Sequence, residues 1–189
     1  MQKARIRTGW KKKNRSISIE EFANAMSAIT WRISLNAAKN LHDKDFVYDN
    51  DQQRLGVIRE YLYFLIHCAD RLMFSQLDQT QRTVFLTALC EDCFRHYREN
   101  STQIIGQSIN KAVFIEDLNH TMNTLSECRF TEDTPTFEMT RLIGSRIQHI
   151  LGHSQTNKWA IDQVMDIDAP ETYDIFLKSV VKLRRSSGY

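Results

Sequence analysis

The sequence predicts an all-α fold: a single-domain bundle of six or seven helices behind a basic N-terminal arm. Three observations carry that reading. Apolar residues recur at spacings of three and four along nearly the whole chain, and no segment alternates as a strand would. Only six Gly and two Pro punctuate 189 residues, too few for the many turns of an all-β domain. Hydrophobic residues at 42% and charged residues at 25% match a globular chain, long enough to enclose a core without covalent staples.

The arm comes first: residues 1–17 are expected to be flexible, followed by a bundle at 18–185 and a short tail at 186–189. Ser18 is placed to N-cap the first helix, with Glu20 and Glu21 in its first turn and Glu21 completing a Ser-x-x-Glu capping box. That helix runs through Phe22, Met26, Ile29 and Ile33 to about Leu41, with Asn36 and Asn40 continuing the same face toward a polar neighbour. An acidic connection at 42–50 leads to a second helix over 51–75. Asp78 caps a third, which runs to about Glu99 before an ambiguous break at 101–106. A fourth helix covers 109–128, and 130–136 reads as a loop around Pro135. The fifth spans 137–151 and stops at Gly152, a residue suited to a helix C-terminus. Asn157 is expected to cap a short helix to Met165. Asp168 is then expected to cap the last helix, with Pro170 in its first turn.

Charge is sorted by position. The first 19 residues hold seven bases and no acid, and the last 15 hold four bases and no acid. All 23 acids therefore share the middle of the chain with 14 of the 25 Lys and Arg residues. The formal charge of +2 conceals an acidic body with cationic ends, which suit nucleic acid, an anionic membrane, an acidic partner or the body itself. No stretch is apolar for the roughly 18 residues of a membrane span. The start lacks the apolar core of a secretory signal, so a cytoplasmic protein with reduced thiols is expected. Cys90 and Cys93 form a Cys-x-x-Cys, but within a helical pattern and with no preceding strand. They read as small core residues, and Cys68 and Cys128 do not make a second close pair for zinc.

The second helix has two usable faces. Leu55, Ile58, Leu62, Leu65, Ile66, Ala69, Leu72 and Met73 form an apolar stripe. The opposite face aligns Glu60, Tyr63, Phe64, His67, Arg71 and Phe74, where a solvated helix would carry only charge. Aromatics with Arg are enriched in interface cores, while a central bundle helix buries both sides anyway. The leading expectation is a non-enzymatic cytoplasmic interaction protein that binds itself, as a homodimer, or another protein through this face. Phe64 and Phe74 would anchor it, and Arg71 would pair with a carboxylate, Glu60 being the candidate partner across the interface.

Two alternatives stand beside it. In the first, the basic termini bind nucleic acid, with Lys3, Arg5, Arg7, Lys11, Lys12, Lys13 and Arg15 on phosphates and Trp10 stacking. In the second, the bundle is a metal- or ligand-binding enzyme built on His67, Asp70, His96, Asp117 and His120. The Glu-x-x-His pattern of dimetal bundles is absent, so no cofactor is expected beyond that possible metal ion. His149 and His153 are four apart, but Gly152 ends the helix between them and no general-base Glu intervenes. Phosphate loops, dinucleotide fingerprints and nucleophile elbows are also missing from the sequence.

Overall fold

Capping decides where the long helices begin. In the computed structural model, which describes residues 17–154 and 156–189, α1 spans Ile19–Asp43 and opens on the expected capping box. The Ser18 hydroxyl accepts from the Glu21 amide, and the Glu21 carboxylate accepts from the Ser18 amide, both at 3.1 Å. Asn50 caps α2 (Asp51–Met73), and Asp78 with Gln81 makes a second box at the start of α3 (Gln79–Ile105). Asn110 caps α4 (Lys111–Ser126). Helix α5 (Phe137–Leu151) ends on Gly152, whose φ of 73° favours glycine.

Several expectations are corrected between these caps. The break falls only at the end of the expected 101–106 region: α3 continues past Glu99 to Ile105, and Gly106 stops it in the left-handed region. The loop at 130–136 contains a small hairpin, β1 (Phe130–Thr131) against β2 (Thr134–Pro135). Its turn residues, Glu132 and Asp133, both take positive φ, as tight two-residue hairpins require. Asn157 caps no helix. Its amide side chain accepts from the Val47 amide and donates to the Val47 and Leu151 carbonyls, stapling two loops together. Asp168 holds the expected N-cap position of the last helix, with Pro170 in the first turn, but its side chain caps nothing and its backbone is helical. Helix α6 (Ala160–Gln163) passes through a π-turn at Val164–Asp168 straight into α7 (Ala169–Ser187). The Asp168 carboxylate is occupied elsewhere, accepting from Lys44 at 2.6 Å and Gln163 at 2.9 Å.

Helix α2 is the axis of the bundle and is buried on nearly all sides from Tyr61 to Asp70. Around it, α1 and α3 run parallel, since Phe22 meets Phe85, Ser27 bonds Asp92 and Trp31 stacks on His96. Small residues on the buried side of α1 (Ala23, Ser27, Thr30, Ser34, Ala37, Ala38) permit that approach. Asn36 and Asn40 do not continue this side; both are exposed. Helix α7 runs antiparallel to α1, tied at one end by Lys44–Asp168 and at the other by Tyr189 against Phe22. Gly144 lets α5 cross the α6 segment closely, because a Cβ there would lie 2.8 Å from the Ile161 carbonyl oxygen. Among the described residues no helix is long and apolar enough to cross a membrane.

Candidate functional site

The expected interaction face of α2 divides into two parts. Glu60, Tyr63, Phe64 and His67 are at most 2% exposed, covered by other helices of the same chain. They therefore cannot anchor a partner, because doing so would require opening the core. Glu60 is paired with Arg146 of α5 at 2.5 Å, and Arg59 bridges from Glu60 (3.8 Å) to Asp117 of α4 (3.1 Å). The Tyr63 hydroxyl donates to the Phe114 carbonyl at 3.0 Å, and the two rings meet edge to face. His67 is enclosed with its Nδ1 unpartnered, and burial pushes its pKa down to about 4.

Arg71 and Phe74 form the other part. Phe74 is 54% exposed at the end of α2, with the Arg71 guanidinium 5.4 Å and the Arg82 guanidinium 4.9 Å from its ring centre. Arg71 has no carboxylate partner among the described residues and sits against the Phe74 ring, while Glu60, its expected partner across an interface, is buried against Arg146. Arg82 is held in place by a two-point bond to the buried Asp70, at 2.6 and 2.7 Å.

The first and last described residues meet each other, and the end of α7 reaches the turn that follows Phe74. The Tyr189 hydroxyl donates to the Ile17 carbonyl at 3.4 Å and its ring packs on Phe22 at 4.8 Å, which brings the first and last described residues together. One turn earlier in α7, Arg184 donates to the Gln76 side chain at 2.6 Å, two residues beyond Phe74. Lys178, Lys182 and Arg185 are exposed on α7 along a shallow apolar groove over Leu177 and Val181. None of the three is ion-paired with a described carboxylate. The pole thus combines unpaired cations, one open aromatic ring and the point from which residues 1–16 depart. Lys3, Arg5, Arg7, Trp10, Lys11, Lys12, Lys13 and Arg15 lie outside the described residues.

The residues expected of a metal site stay apart. Asp70 is bound to Arg82 and Asp117 to Arg59, His96 stacks on Trp31, and His120 is exposed on α4. Among the described residues no group of three or more His, Cys, Asp or Glu could hold a metal ion. The thiols are not poised for chemistry: burial raises the pKa of Cys68 and Cys93, and pushes that of Cys90 up to about 12. Comparison with protein-family models, curated proteins and solved structures finds no match for this chain. Sequence reasoning missed Arg82, Gln76 and Tyr189. Its one available signal was the unusual acid-free end of α7, which named the charges but not their neighbours.

Proposed function

We propose that the protein is a non-enzymatic cytoplasmic binding protein whose working surface is the cationic pole and whose partner is a polyanion. The observation that supports this reading is the meeting of Ile17 with Tyr189 beside the acid-free end of α7, which carries Lys178, Lys182, Arg184 and Arg185. Cations gathered on one face sum into a field of several kT, whereas the same charges scattered over the surface are screened individually. The four free cysteines accord with a reducing compartment. Titration with heparin, following binding as salt is raised, tests the reading. Deleting residues 1–15 is expected to weaken binding and flatten its salt dependence. No heparin binding by the full chain at low salt would overturn it.

Self-association remains a second reading, transferred from the α2 face to the two poles. At the opposite pole, Val47, Trp159 and Ile167 are 42%, 62% and 42% exposed, beside the exposed Asp43, Asp45, Asp162 and Asp166. An acidic, apolar pole complements a basic one, and such head-to-tail contacts form rings or open chains. Light scattering of Trp159→Ala against the wild-type chain decides it: a mass that exceeds the monomer and falls on substitution supports this mode. A wild-type chain monomeric at high concentration removes it.

A further inference from the structure

We infer that Phe74, framed by Arg71 and Arg82, is a base-stacking platform and that the polyanion bound at this pole is single-stranded nucleic acid. The inference rests on the polyanion reading and names the class of partner. Among the described residues of the pole, Phe74 is the aromatic with more than half its surface open. A lone exposed ring is ordinary by itself; what distinguishes Phe74 is its position beside two guanidinium groups.

The surroundings of the ring select that partner. Two guanidinium groups lie within 5.4 Å of its centre, and one of them, Arg82, is locked by the buried Asp70. Guanidinium planes and aromatic rings are the surfaces on which unpaired bases stack. From the ring, Gln76 and Arg184 lead onto α7, where Lys182 and Arg185 stand exposed and unpaired to meet backbone phosphates. Aromatic contact beside a cationic track is the arrangement by which single strands are held without sequence readout. A duplex hides its base faces and would use the cations alone. An anionic bilayer is favoured by a broad apolar face on an amphipathic helix. At this pole the open aromatic is a single ring set between cations, which suits one base better than a lipid boundary.

Fluorescence anisotropy with labelled oligothymidylate of roughly 20 nucleotides tests this on the full chain. The single strand is expected to bind at least tenfold more tightly than a duplex of equal length. Phe74→Ala and Phe74→Leu are expected to lose about tenfold in single-strand affinity while keeping the salt slope, since neither removes a phosphate contact. Lys182→Glu is expected to weaken single strand, duplex and heparin alike and to flatten the slope. Because Phe74 is exposed, thermal melting of its variants should match wild type, which separates lost stacking from lost fold. Unchanged single-strand binding by Phe74→Ala overturns the platform, and if heparin binding and its loss in Lys182→Glu persist, the polyanion reading survives. Binding to phosphatidylserine vesicles but not to oligothymidylate overturns the partner class. Failure of heparin and oligothymidylate together removes both readings.

Discussion

Two stretches of one helix face behave in opposite ways. From Glu60 to His67 the mixed face of α2 is sealed inside the chain, where every charge is matched: Glu60 to Arg146, and Arg59 to Glu60 and Asp117. Two turns later the same face emerges at Arg71 and Phe74, where an aromatic ring is open and a guanidinium has no described carboxylate partner. Residue types are similar in the two stretches; what differs is whether α4 and α5 cover them. Phe114 and Arg146 reach the first stretch and turn it into core. Aromatics mixed with charge therefore signal contact, but not whether the contact is intramolecular.

This contrast makes stability and binding separable. The largest effect is expected for Arg146→Ala, which leaves the Glu60 carboxylate buried without its close partner. A loss of about 3–5 kcal/mol in urea unfolding is expected if the pair is integral to the fold. A loss below about 1 kcal/mol would mean that Arg59 or solvent reaches Glu60 and that the inner stretch is less sealed.

Acid should act next. His67 remains neutral in the fold down to about pH 4, whereas an unfolded His takes its proton near 6.5, because enclosure disfavours the charged form. Nearby Asp70 raises this pKa and Arg71 lowers it, both less than burial does. The unfolded chain thus binds more protons between these values. Stability is fully present above pH 6.5 and declines as pH falls toward 4, by up to about 3 kcal/mol from this group. His67→Leu should remove that part of the pH dependence, leaving the carboxylate contributions. An unchanged unfolding profile would place His67 in contact with solvent.

Tyr63→Phe is expected to cost about 1–2 kcal/mol, because it takes the hydroxyl from the buried Phe114 carbonyl while keeping the ring contact. Phe74→Ala should change stability least, within about 0.5 kcal/mol, since the ring is more than half exposed. Reversal of that order, with Phe74 costing more than Tyr63, would erase the distinction between the two stretches.

Local signals in the sequence reached the fold more surely than the site. The boxes at Ser18 and Asp78 and the stop at Gly152 depend on residues within three positions, so helix starts and ends were legible. Asp168 failed as a cap because Lys44, far along the chain, claims its carboxylate and the backbone passes through a π-turn. Glu132 and Asp133 concealed the hairpin by taking positive φ without glycine. Arg71 and Phe74 were among the residues singled out, yet their separation from Glu60 and Tyr63 depended on the placement of α4 and α5. The meeting of Ile17 and Tyr189 also required the directions of α1 and α7, which helical periodicity does not contain.

The central claim is that the exposed cations at the end of α7 are a working surface and not merely a solvated helix end. The direct measurement is polyanion affinity of the full chain carrying Lys182→Glu and Arg185→Glu, with thermal melting confirmed to match wild type. Both side chains are exposed and unpaired, so their reversal should leave the fold intact. The account predicts that affinity for heparin and oligothymidylate falls at least tenfold at about 50 mM salt and that the difference shrinks near 200 mM. Equal affinity of wild type and double variant across that salt range would contradict it.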